Sequence, residues 1–160
     1  LSILALAALI GNFWQTVLFF AAFIPLRLYA GGYHASTRLR CFLTSLVVYA
    51  AFTIMLEIVP VAWFVPLAFI GGAVSFLIVW LFAPVIHQNH RSGLKHQARF
   101  RRISIRICVV EVSAIIVGQI LWSESALIFA VLLGLLAEAL SILAVKSQSV
   151  KQAIVLEGRE

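Results

Sequence analysis

The chain is predicted to be an all-α protein, a polytopic transmembrane helical bundle, and three observations predict it. Apolar residues make up 63% of its 160 residues and charged residues 11%, and the mean hydropathy is +1.08. That is more apolar surface than one globular core of this size buries. Five apolar runs, at about residues 3–24, 42–59, 61–83, 105–122 and 126–145, are each long enough to cross a bilayer as a helix. The connectors between the runs alternate in charge.

The run over 3–24 starts from Leu1 with neither a basic flank nor a small-residue cleavage site, so it reads as a span and not a signal peptide. An N-terminal segment of the native protein is expected to be missing ahead of it. A basic connector, 27–40, leads to the run over 42–59. The stretch 57–61 holds no cation and turns at Pro60 into the run over 61–83, where Pro66 and the Gly71-Gly72 pair permit a kink or a close helix contact. The connector over 84–104 is strongly basic. The run over 105–122 ends in the acidic turn Ser123-Glu124-Ser125, and the run over 126–145 passes into a basic tail from Lys146. One domain, 1–160, is the simplest organisation, because no repeat or low-complexity tract divides it.

All twelve Lys and Arg fall in alternate connectors or at their edge, the basic stretch after the third run reaching from Arg91 to Arg106. The positive-inside rule therefore places the connectors after the first and third runs, and the C-terminus, in the cytoplasm, with Pro60, Glu124 and Leu1 outside. This topology also accounts for the net charge of +6 and the pI near 10.0, so no nucleic-acid partner is expected. Cys41 and Cys108 fall on the reducing side, where a disulfide is not expected. Two carboxylates lie within apolar runs and need partners there. Glu111, five residues after Arg106, is expected to find one in Arg106 or another connector cation. Glu138, near the middle of the last run, is expected to face the bundle interior or a subunit contact. His87, His90 and His96, with Asn89, lack a partnered carboxylate or thiolate, so neither a metal nor a cofactor is expected.

The segment from Arg27 to Cys41 is the polar island with reactive side chains. His34 and Cys41 stand seven positions apart among three arginines and the Gly31-Gly32 pair. A thiolate near cations and a base is a nucleophile. In one continuous helix the two residues would be about 10.5 Å apart along the axis, with both side chains tilted towards the N-terminus. A working pair therefore needs a chain break, around Gly31-Gly32 just ahead of His34 or at residues 35–37 between the two, and Cys41 in the first turn of the following helix, where the macrodipole favours a thiolate. Donors for an oxyanion are backbone N–H groups near Cys41 or the Gly31-Gly32 turn, with Arg27 as a cationic alternative.

These residues resemble the signature of the accessory gene regulator B (AgrB) family, membrane cysteine endopeptidases of bacterial peptide quorum sensing. The resemblance rests on Arg27, Gly32, Tyr33, His34, Ala35 and Cys41 at matching spacing. Phe82-Ala83-Pro84 and Asn89 are similar to the family's Tyr-Ala-Pro box and following Asn, and the likeness continues through the Glu138 region. His90-Arg91 stands where Lys-Pro often follows the Asn.

The resemblance implies a multi-pass protein of the bacterial cell membrane with His34 and Cys41 at the cytoplasmic face. Cys41 would be the nucleophile and His34 the general base. The substrate would be a precursor peptide with an amphipathic leader and an acidic C-terminal segment. Its C-terminal part would be removed through a Cys thioester, leading to a thiolactone or lactone autoinducing peptide. The family also implies a homodimer. Arg91, Lys95, Arg99, Arg101 and Arg102 would attract the acidic segment and anionic lipid. The competing reading is a small multi-spanning transporter or regulatory membrane subunit without catalysis, which explains Glu111 and Glu138 and predicts that Cys41 is dispensable.

Overall fold

Gly11 and Asn12 interrupt the first apolar run. In the computed structural model, which describes residues 2–31, 38–85 and 97–157, Gly11 adopts φ 88° and ends α1 (Ser2–Ile10), and α2 (Phe13–Ala30) follows. The spanning helix is thus displaced from the expected 3–24 towards the C-terminus, and Arg27 lies inside it. The break has local satisfaction: Thr16 Oγ1 donates to the Asn12 carbonyl at 2.9 Å and Tyr49 Oη to Asn12 Oδ1 at 3.1 Å.

The remaining runs form α3 (Arg38–Ile58), a 3-10 turn (Val61–Trp63) continuing into α4 (Phe64–Phe82), α5 (Gln97–Leu121) and α6 (Ala126–Glu157), with no strand among the described residues. Phe13–Ala30, Val61–Phe82, Gln97–Leu121 and Ala126–Ser147 are long and apolar enough to span a membrane, and α3 adds the shorter apolar stretch Leu43–Ile58. The chain is a multi-pass transmembrane helical bundle.

α5 and α6 extend furthest beyond their apolar runs. α5 starts well ahead of residue 105, so Arg99, Arg101 and Arg102 lie on a helix and not in a loop. Arginine is a good helix former, and Arg102 Nε donates back to the Ala98 carbonyl at 3.3 Å while Arg101 Nη2 reaches the Trp80 carbonyl of α4 at 3.4 Å. α6 has 32 residues, about 48 Å of helix. It exceeds the roughly 30 Å of bilayer hydrocarbon and carries the chain past Lys146.

α6 is the centre of the bundle, flanked by α2, α4 and α5. Its contact with α2 is close because Gly134 has no Cβ: one added there would run into the Phe19 carbonyl oxygen and lie 3.2 Å from Ala22 Cβ. Phe64 of α4 stacks on Phe129 with ring centroids 4.2 Å apart, and Gly71 lies against Leu132 and Leu136. Gly72 faces Val112 of α5, and Gly118 of α5 faces Ile128. The glycine pair of the third run therefore serves close helix contact. In hydrocarbon, where helix association depends on such packing, small residues at the seam do this work.

These contacts make α2, α4 and α6 parallel and α5 antiparallel to them. The ends of α2 and α4 and the start of α5 share one end of the bundle, together with Arg99, Arg101 and Arg102. Trp14, Trp63 and Trp122 are exposed near the opposite end, and Trp80 is exposed near the cationic end. About 25 Å of helix separates Trp63 from Trp80, which suits aromatic belts at the two interfaces of a bilayer.

Candidate active site

α2 ends at Ala30, and Gly31, the first of the glycine pair, caps it. Gly31 leaves the helix at φ 77°, ψ −175°, with its N–H closing on the Arg27 carbonyl at 3.2 Å. This backbone conformation is essentially reserved for glycine. α3 begins at Arg38, which puts Cys41 in its first turn, among N–H groups that have no partner within the helix. Gly32 and His34 lie outside the described residues, as do the side chain of Cys41 and the whole of Arg91 and Lys95.

A second constraint meets the same exit. Val85 N–H donates to the Ala30 carbonyl at 2.8 Å, and the Val85 carbonyl oxygen packs so tightly on Gly31 that a Cβ there would overlap it. The Ala83-Pro84 pair at the end of α4 thus brings the main chain of Val85 against the last turn of α2. Phe100 of α5 also meets this end of α2, its ring 6.1 Å from that of Tyr29.

Arg27 points into the bundle. Its Nη1 lies 3.3 Å from Glu138 Oε2 and 2.9 Å from Ser141 Oγ, both on α6, and its guanidinium carbon sits 5.2 Å from the Phe23 ring centroid. The Glu138 side chain is 0% exposed and that of Arg27 24%. Glu138 therefore faces the bundle interior, and Arg27 engages α6 through Nη1. Gly31 N–H is likewise committed to the helix end. Sequence reasoning missed Ser141 and Val85. Ser141 left a signal, three residues after Glu138 on the same helix face.

Among the described residues no ion pair joins Glu111 to Arg106, the first of the partners expected for it. The Glu111 carboxyl turns into the bundle, where its Oε2 is buried without a hydrogen-bond partner; Arg106 is exposed and faces away. Cys108 is a free thiol at 0% exposure, packed in the apolar core between α4, α5 and α6, and so out of reach of a substrate. His87, His90 and His96 lie outside the described residues.

Four long apolar helices and a cationic end, with a junction that fixes the exit of α2, define a multi-pass α-helical membrane protein. The chain belongs to the accessory gene regulator B (AgrB) family, whose model matches residues 1–146. The family takes part in quorum-sensing peptide processing and acts on a precursor peptide. No curated protein and no solved structure gives a significant match.

Proposed function

We propose that the chain is a membrane-embedded cysteine endopeptidase that removes the C-terminal part of a quorum-sensing propeptide. Cys41 attacks the scissile carbonyl as a thiolate, and His34 takes the thiol proton and then delivers it to the departing amine as the C–N bond breaks. The N-terminal part of the peptide remains on Cys41 as a thioester. A Cys thiol or Ser hydroxyl of the bound peptide attacks that thioester, closes a thiolactone or lactone ring and releases the Cys41 sulfur. Thioester energy is conserved for ring closure.

The observation that carries this reading is the placement of Cys41 in the first turn of α3, after a glycine-terminated α2, in a family that processes such peptides. The helix start supplies a positive dipole end and N–H donors for thiolate and oxyanion. Gly32 N–H is a further candidate donor. By the positive-inside rule the cationic end faces the cytoplasm of a bacterial cell, and Arg91, Lys95, Arg99, Arg101 and Arg102 draw in the acidic segment of the precursor and anionic lipid. The working unit in this reading is the family's homodimer.

The test is processing in liposomes of the precursor encoded beside this chain's gene, by wild type and by Cys41→Ala and His34→Ala variants. Loss of cleavage in both variants supports the reading. Equal processing by wild type and Cys41→Ala, or none by a folded wild type, returns the protein to the transporter or regulatory class.

A further inference from the structure

We infer that Glu138, with Ser141, is a positioning residue for the peptidase reaction, acting through Arg27 to fix the rotation and height of the α2 exit that feeds the His34 segment. The inference rests on the peptidase reading above. Its observations are the 3.3 Å Arg27–Glu138 pair, the 2.9 Å bond from Arg27 to Ser141 and the 2.8 Å bond from Val85 to Ala30.

Holding α2 on α6 does not require charge. Phe19, Ala22, Leu26 and Ala30 already bury one face of α2, and Gly134 lets the two backbones close. A buried ion pair is a poor source of stability, because desolvation offsets the attraction, and its best-attested use is to specify register. The Arg27–Glu138 pair has that geometry. A shift of α2 by one residue relative to α6 turns Arg27 by about 100° and moves it about 1.5 Å along the axis, which takes Nη1 away from both Glu138 and Ser141. Two charged or polar partners on successive turns of α6 therefore select one rotation of α2.

What that rotation controls is three and four residues further on. Ala30 receives the Val85 N–H and Gly31 seats against the Val85 carbonyl, so the exit is fixed from α6 through Arg27 and from the end of α4 through the main chain. His34 follows Gly31 by three residues in the sequence. In this reading Glu138 positions the reacting groups and is not itself one of them. Its influence on them passes through Arg27 and the helix end.

The experiment uses the full chain in liposomes with the precursor peptide, comparing wild type, Glu138→Gln, Glu138→Asp, Ser141→Ala, Arg27→Gln and the Arg27→Gln/Glu138→Gln double variant. Single-turnover acylation and steady-state kinetics are measured, with helical content and thermal unfolding as the check on folding. A misplacement of about 1 Å costs on the order of 100-fold in rate. Glu138→Gln is accordingly expected to lower kcat by about 10- to 100-fold with KM little changed, and Glu138→Asp to restore part of the loss. The double variant should be no slower than Arg27→Gln, since the two residues act as one unit. Ser141→Ala removes one bond without uncovering a charge, and its smaller fall in kcat keeps the inference testable if Glu138→Gln does not fold. An unchanged kcat in Glu138→Gln or Ser141→Ala, additive losses in the double variant, or a loss confined to KM overturns the inference. Failure of wild type to acylate Cys41 overturns the peptidase reading instead, so the two failures are distinct.

Discussion

Replacing Gly31 by alanine strikes the helix exit in two ways. At φ 77°, ψ −175° an L-residue carries about 1–3 kcal/mol of backbone strain, which corresponds to roughly 5- to 150-fold in the population of that conformation. The added Cβ also meets the Val85 carbonyl oxygen, a main-chain atom tied in place because the N–H of the same residue is bonded to Ala30. The chain must therefore leave α2 along another path, three residues before His34. Single-turnover acylation by Gly31→Ala is expected to fall by at least that 5- to 150-fold, with the thermal unfolding temperature also lowered. Shortening Val85 to alanine should not rescue it, because the obstructing atom is backbone. Wild-type acylation by Gly31→Ala, or rescue by Val85→Ala, would refute this account of the exit.

Gly134→Val should destabilise the fold by about 1–3 kcal/mol, since α2 and α6 must separate where Phe19 and Ala22 now lie on the glycine; thermal unfolding in detergent reads the shift, and an unchanged midpoint contradicts the packing. Reversing Arg99, Arg101 and Arg102 to Glu should raise KM for an acidic precursor and spare kcat, with the effect shrinking as salt rises; an unchanged KM, with topology verified by labelling, removes these cations from substrate capture. Cys108→Ala should leave acylation and turnover intact and lower only the unfolding temperature, because that thiol is fully buried; loss of acylation with a wild-type fold would reassign the chemistry. Tyr49→Phe, which removes the bond to Asn12, should cost about 0.6 kcal/mol, the typical value for an intramembrane hydrogen bond; a loss of several kcal/mol in unfolding measurements would mark Asn12 as a structural centre of the α1–α2 break.

The helical bundle was legible because bilayer hydrocarbon imposes a minimum length of apolar helix, which four helices meet while α3 adds a shorter apolar stretch. The α1–α2 break was not, because Gly11 and Asn12 interrupt the backbone without lowering the hydropathy of their neighbours much. Arg27 read as the start of a loop for a related reason: hydropathy treats a cation as the end of a span. Here Glu138 and Ser141, more than a hundred residues away in the chain, satisfy the guanidinium, and the helix runs on to Ala30. The same tertiary blindness affected Glu111, whose nearest cation in sequence is not its neighbour in space. Arg99, Arg101 and Arg102 were assigned to a loop by charge alone, although arginine favours helix and α4 offers a carbonyl to Arg101. By contrast, the requirement that Cys41 open a new helix followed from helix geometry alone, and α3 begins three residues before it. Pairing of His34 with Cys41 concerns residues outside those described, and it stands on the chemistry proposed for them.

The central claim is the thioester on Cys41. Wild-type protein mixed with its precursor in liposomes, quenched in acid within the first turnover and digested for mass spectrometry, should yield the Cys41 peptide carrying the N-terminal part of the precursor. Hydroxylamine should remove that mass, and Cys41→Ala should lack it. Precursor cleaved with no adduct on Cys41 at any time, or cleaved equally by Cys41→Ala, would contradict the account.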